Sequence, residues 1–212
     1  ERRPLRNDFL NTDCAAVEAV YHQHGFLDAT VSDSLLPVRD QGRVRVMFVI
    51  QEGSRSRIVS VEFEGVQAVP REALRRAIYA RPRRPFNPAY LVADTAIIAR
   101  QEGEHGHLPR VVGTARRDEQ DSLDVHVVYR VEEGPAYRVG AVHILNPEAL
   151  RVSGKLVQRE LLLKPGSVYR QSKMQESEER LYETGLFSQA QISPQPDSTN
   201  SLMEFFVRVR GR

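Results

Sequence analysis

The chain has 212 residues, 41% of them hydrophobic and 27% charged, and its thirty basic side chains against twenty-eight acidic ones leave a net charge of +2. That is the composition of a folded globular chain, and so even a balance excludes charge as a beacon for nucleic acid, so no nucleic-acid partner is expected. The single Cys14 excludes an intramolecular disulfide and a cysteine-rich metal site, and no unbroken apolar run exceeds five residues, as in Val46 to Ile50, far too short to cross a membrane as a helix.

In chain order, a helical pattern comes first and stops at Gly25. Two strands follow, joined by the turn residues Asp40-Gln41-Gly42. The second of these strands places Val44, Val46, Phe48 and Ile50 on one face, an apolar alternation suited to the middle of a sheet. Next, Ile58 to Phe63 reads as a strand, and Val69, Ala73, Leu74, Ala77 and Ile78 keep helical spacing behind Pro70. A second helix is predicted from Asn87-Pro88, where asparagine can accept free backbone N–H groups and proline fits the first turn. Leu91, Thr95 and Ile98 share a face of it. A hairpin turning at Asp118 to Ser122 brings in a strand with Val125, Val127, Tyr129 and Val131 on one face. The same order then recurs. Ser172 and Gln175 read as a capping box for a helix with Met174, Leu181 and Tyr182, which ends at Gly185. The turn Asp197 to Ser201 leads to a last strand with Met203, Phe205, Val207 and Val209 inward. The strands before these apolar ones are more polar, and Pro37 and Pro194 near their ends suit sheet edges, where no ladder bond is lost.

The recurrence has a measurable period. Gly25, Gly106 and Gly185 lie 81 and 79 residues apart, Glu52-Gly53 returns as Glu133-Gly134, and Val61, Phe63 and Gly65 return as Val142, Ile144 and Asn146. A period this long makes each unit a small domain with its own core. The expected boundaries are 1–55, 56–134 and 135–212, with the first unit supplying only a second helix and a hairpin, its opening strand and first helix expected upstream. The fold class is α+β, with strand, helix, helix, strand and strand per unit: a three-stranded mixed sheet with two helices on one face.

This combination resembles the POTRA (polypeptide-transport-associated) repeats of bacterial outer membrane protein assembly factors. The resemblance is carried by the apolar strand ending in Glu-Gly ahead of a Val-x-Phe-x-Gly strand, by Leu163-Lys164-Pro165-Gly166-Ser167-Val168-Tyr169, and by Leu181-Tyr182-Glu183-Thr184-Gly185-Leu186-Phe187. Tyr21 to Phe26 is similar. The second unit departs from it, with Arg81-Pro82-Arg83-Arg84-Pro85-Phe86 where the third has Lys-Pro-Gly and tyrosine, and with His107 in place of Phe26. The third ends in Arg210-Gly211 rather than Glu-Gly.

The resemblance implies a periplasmic position at the outer membrane, a C-terminal β-barrel in the full-length protein, and as partners unfolded outer membrane protein precursors with accessory periplasmic proteins or lipoproteins. The alternative it implies is the substrate-recognition arm of a two-partner secretion or translocation-and-assembly transporter. From the residues alone, an edge strand can capture an extended peptide through main-chain hydrogen bonds. The candidate docking strands contain Ala29, Thr30, Val31 and Ser32; Arg110, Val111, Val112 and Thr114; and Gln189, Ala190, Gln191 and Ile192.

Other chemistry ranks lower. His22-x-His24 and His105-x-His107 have a ligand-like spacing, but no third ligand is marked by sequence, so neither metal nor cofactor is expected. Glu176, Glu178, Glu179 and Arg180 fit a solvated helix face, no catalytic residue stands out, and no enzyme is expected. The basic run Arg81 to Arg84 could touch phosphate on a membrane surface.

Overall fold

Apolar periodicity of two and of 3.6 residues alternates along this chain, and the elements alternate with it. The computed structural model describes residues 7–38, 44–145, 154–197 and 199–211. Its elements are α1 (Asn7–Gln23), β1 (Thr30–Pro37), β2 (Val44–Gln51), β3 (Arg57–Glu64), α2 (Arg71–Ala77), α3 (Ala89–Gly103), β4 (Arg110–Arg117), β5 (Asp124–Glu132), β6 (Arg138–Leu145), α4 (Gly154–Glu160), α5 (Gln171–Glu183), β7 (Phe187–Asp197) and β8 (Leu202–Gly211). They form three sheets, ordered β1-β2, β3-β5-β4 and β6-β8-β7. In the third, β6 runs parallel to β8 and β7 antiparallel to it. The α+β class and the order strand, helix, helix, strand, strand are those of the sequence reading. The turn at Asp40-Gln41-Gly42 and Asn146 lie outside the described residues.

Segment proximity divides the described chain into two compact units, one drawn from Glu1–Glu62, Ile78–Thr95 and Gly113–Tyr129, the other from Phe63–Ala77, Ala96–Val112 and Arg130–Arg212. The second unit holds a continuous apolar core. Val157 of α4 and Leu181 of α5 cluster there with Val139, Phe187 and Ile192 and with the inward row Met203, Phe205, Val207 and Val209 of β8. Alternate β8 residues are buried, as the period of two requires, and burial of a side chain of this size contributes about 1.5–3 kcal/mol. In the first unit, the buried residues of β5 are the alternate ones, Val125, Val127 and Tyr129.

β2 departs from expectation. Its apolar alternation suits mid-sheet, yet β1 is its sole partner among the described residues, and Met47, Phe48, Val49 and Ile50 are all exposed. The physical reason is a missing neighbour: β6 pairs β8 on the side away from β7, and no described strand does so for β2.

The links between paired helices repeat in detail despite their different sequences. Arg83 donates its N–H to the Ile58 carbonyl at 2.7 Å, and Gly166 does the same to Val139 at 2.7 Å. Both residues take left-handed backbone, φ +69° at Arg83 and +83° at Gly166. The Arg-Pro-Arg-Arg run therefore makes the turn of its Lys-Pro-Gly counterpart, with an arginine where glycine carries no Cβ penalty. The following helix then holds its link from above. In the first unit, buried Asp94 accepts the N–H groups of Tyr79 and Ala80, at 2.7 and 2.9 Å, and the Tyr129 hydroxyl at 2.6 Å. In the second, Ser177 accepts the N–H of Leu162 at 2.9 Å.

The helix starts bring one confirmation and one correction. Asn87 accepts the Ala89 N–H at 2.9 Å, as the Asn-Pro start predicts. Ser172 and Gln175 do not form a capping box, because α5 begins two residues too early: its N-cap is Arg170, without a side-chain bond. Glu104 supplies the cap instead, accepting the Ser172 N–H at 2.8 Å and its hydroxyl at 2.6 Å from 68 residues away. A carboxylate there also meets the positive end of the helix dipole.

Candidate functional site: the sheet edges

A strand at an edge keeps one row of N–H and C=O groups unpaired, and the chemistry of that row decides whether a second chain can join it. β4 and β7 are edge strands of their sheets, and β1 is paired on one side by β2. Ala29 lies just before β1 and is buried, with Val31; Thr30 and Ser32 are exposed. Arg110, Val112 and Thr114 are exposed on β4 and Val111 is half-buried. On β7, Gln189 and Gln191 are exposed, Ala190 is half-buried and Ile192 is buried. The candidate positions thus lie on or beside strands of three separate sheets, rather than gathered into one site.

The three edges differ in how much of their main chain is available. Glu178 of α5 accepts the Ile192 N–H at 2.5 Å, which fixes that group as facing away from β8. The register from Ala190 to Asp197 is regular, so residues 194 and 196 face the same way, and both are proline. Along this stretch of β7 the outward donors are occupied or missing. Pro194, three residues before the end of β7, is tolerated because it faces outward, where no ladder bond is lost. On β1, Glu18 of α1 accepts the Val31 N–H at 2.8 Å, and Pro37 ends the strand.

β4 has neither device. It runs Arg-Val-Val-Gly-Thr-Ala-Arg-Arg without proline, and no carboxylate sits on its backbone N–H groups among the described residues. At its end Arg117 is engaged, its guanidinium holding both oxygens of Asp28 at 2.8 and 3.1 Å, whereas Arg116 is exposed. The helix position that carries Glu18 and Glu178, seven residues ahead of the repeat glycine, is Ala99 in this repeat. The sequence did carry this signal.

The histidines flagged by spacing separate into two roles. His24 and His105 each donate a ring N–H to the helix carbonyl four residues back, of Val20 at 2.7 Å and of Gln101 at 3.0 Å. They finish their helices. His107 differs: it lies with Glu102 and Glu133 in a group whose ligand-type atoms are all within 4.8 Å of one another. The sequence reading missed this trio because its carboxylates come from the end of a helix and from the residue just after a strand. The basic residues Arg81, Arg83 and Arg84 lie exposed on the turn that follows α2.

Comparison with known proteins points one way. The profile of the POTRA family, described as surface antigen variable number repeat, matches residues 56–134 and again 137–209. The outer membrane protein assembly factor BamA of Nitratidesulfovibrio vulgaris is 21% identical over 210 residues, covering 97% of this chain and 26% of that protein. The BamA of Neisseria meningitidis serogroup B is 24% identical over 186 residues, 87% of this chain and 23% of its own length. The chain thus spans about a quarter of the curated relatives it matches. Among solved structures, POTRA domains 3–5 of Haemophilus influenzae BamA superpose with a TM-score of 0.64 at 16% identity, over 99% of this chain and 83% of that one.

Proposed function

The chain belongs to the POTRA family, and from that premise we propose that it is part of the periplasmic region of an outer membrane β-barrel assembly factor. In this reading the full-length protein carries a C-terminal barrel in the outer membrane, and these domains receive unfolded outer membrane protein precursors and accessory periplasmic partners. Capture is by β-augmentation, in which an extended client segment adds a strand and its side chains are read weakly, so that many sequences are accepted. The exposed arginines Arg81, Arg83 and Arg84 offer a contact for anionic headgroups when the domain lies near the membrane.

The observation that carries the mechanism is the asymmetry of the edges. β7 lacks usable outward donors from Ile192 to Pro196, β1 has one taken by Glu18, and β4 keeps its donors and acceptors. The docking strand is accordingly β4, with Val112 and Thr114 at its exposed centre, while the β1 and β7 segments serve their own sheets.

Hydrogen exchange tests this with a synthetic peptide of alternating apolar and polar residues, the pattern of a membrane-barrel strand. Saturating peptide should slow exchange of β4 amides between Val111 and Arg116 and leave β7 unchanged. Protection confined to β1 or β7, or to the helices with β4 unaffected, would refute the assignment.

A further inference from the structure

One buried carboxylate in this chain has no partner. Glu102, in the last turn of α3, has 0% of its surface exposed, and neither of its carboxylate oxygens has a hydrogen-bond partner among the described residues. An isolated buried charge costs far more than a folded domain tolerates, so the group must be neutralised by a proton or by a cation. The residues facing it indicate which.

His107 and Glu133 lie beside it, both half-buried, with one ligand-type atom of each of the three residues within 4.8 Å of the others. Each of these two is oriented by its own backbone contact. The Nδ1 of His107 is 3.2 Å from the carbonyl oxygen of Gly134. A carbonyl can only accept, so Nδ1 carries the proton and the Nε2 of the neutral ring is left with a free lone pair. Glu133 is held by the N–H groups of Gln67 and Ala68, at 2.5 and 2.8 Å on one oxygen. A ring that donates its other N–H to a carbonyl and a carboxylate fixed by backbone donors are the outer-shell arrangement of metal ligands.

The repeat supplies an internal control. In the first repeat the same three positions are Tyr21, Phe26 and Glu52. There the Tyr21 hydroxyl donates to Glu52 at 3.1 Å, and the Tyr21 and Phe26 rings meet edge to face at 5.9 Å. That version is complete without a further component. The second repeat keeps the glutamate, replaces the tyrosine by a second carboxylate and the phenylalanine by imidazole, and thereby exchanges a hydroxyl-to-carboxylate bond for three ligand-type groups. Burial first, and then the charge of Glu133, raise the proton affinity of Glu102 against the opposing effect of His107 and His105.

We propose that Glu102, His107 and Glu133 form a binding site for a divalent transition-metal ion. One nitrogen and two carboxylates suit Zn²⁺, with water in the fourth position. At Zn–N and Zn–O lengths of about 2.0–2.1 Å a tetrahedral set stands roughly 3.4 Å apart, so the three groups need only close slightly around the ion. The ion would clamp the end of α3 to the Glu-Gly segment that follows β5.

The test is calorimetric titration of the purified 212-residue chain with Zn²⁺, with Co²⁺ absorption as a second readout of the ligand field. The expected result is one equivalent bound at micromolar concentration. Glu102→Gln, and independently His107→Phe, which restores the residue of the first repeat, should each weaken binding at least tenfold. His22→Ala/His24→Ala should bind as the parent does. Absence of binding at 1 mM Zn²⁺ would overturn the proposal, as would parental affinity in folded His107→Phe. So would a Glu102→Gln chain that gains thermal stability and still binds Zn²⁺, since Glu102 would then be a buried neutral acid.

Discussion

Removal of Asp94 should damage this chain more than any surface substitution, because its carboxylate collects three donors at one buried point. The N–H of Tyr79, the N–H of Ala80 and the hydroxyl of Tyr129 reach it at 2.7, 2.9 and 2.6 Å, and its residue exposure is 0%. Burial, with the bond to Asp94 second, pushes the Tyr129 hydroxyl up from its usual range, so it remains a neutral donor. In Asp94→Ala the Ala80 N–H and the Tyr129 hydroxyl are stranded away from water, at about 1–3 kcal/mol each. With the partly shielded Tyr79 N–H added, the loss should come to about 3–5 kcal/mol, in the range of a broken buried network. Tyr129→Phe removes one charge-assisted bond and leaves Asp94 its two backbone donors, so it should cost about 1.5–3 kcal/mol. The double variant should then lose less than the two single losses combined, by a coupling of about 1 kcal/mol or more. Urea unfolding gives the free energies, and hydrogen exchange at the Tyr79 and Ala80 amides locates them. A cost below about 1 kcal/mol for Asp94→Ala, or strict additivity with Tyr129→Phe, would refute this account of the cluster.

Arg83→Gly should stabilise the chain by about 1 kcal/mol, because φ +69° there imposes a Cβ clash that Gly166 avoids in the equivalent turn. Thermal unfolding should shift upward by several degrees, and a downward shift would mean that the arginine side chain outweighs the strain. Asp118 should give the turn before β5 a pH dependence. The N–H groups of Gln120 and Asp121 and then His126 hold its carboxyl below the usual value. The depressed value makes its stabilisation present above the unfolded value near 3.9 and lost as pH falls through the lower folded one. Amide protection factors at Gln120 and Asp121, relative to the intrinsic rate at each pH, should therefore hold above about pH 4 and fall below it, a step that Asp118→Asn abolishes.

The parts of the fold that were legible in the sequence are those decided by near neighbours along the chain. Alternation marked β5 and β8 as central strands, and Asn87-Pro88 marked the start of α3, since a strand face and a first helical turn are set within a few residues. The period near eighty exposed the repeat even where Arg81 to Arg84 replaced Lys-Pro-Gly, because the turn depends on backbone that both sequences can adopt, at different cost. What stayed hidden depends on distance. Ser172 and Gln175 have the spacing of a capping box, yet the start of α5 is capped by Glu104 from 68 residues away, a partner that no local pattern announces. For the same reason Glu102, His107 and Glu133 did not read as a group: five and twenty-six residues separate them, and only the folded link after β5 brings them together.

The edges lie between these cases, and they show how such a reading could be sharpened. Polarity and proline correctly ranked β4 and β7 as outer strands, but could not tell an available edge from a protected one. That difference rests on the phase of the strand, since a proline or a helix carboxylate blocks pairing only when it meets an outward N–H. Glu178 fixes the phase of β7, and once it is fixed Pro194 and Pro196 fall on the same outward row. Glu18 acts in the same way on β1, and Ala99 stands at the corresponding place ahead of β4. A single glutamate seven residues before the repeat glycine therefore separates β1 and β7 from β4 among the three candidate edges, and Ala99→Glu should place a carboxylate on the β4 row and weaken peptide binding there if that edge is the docking strand.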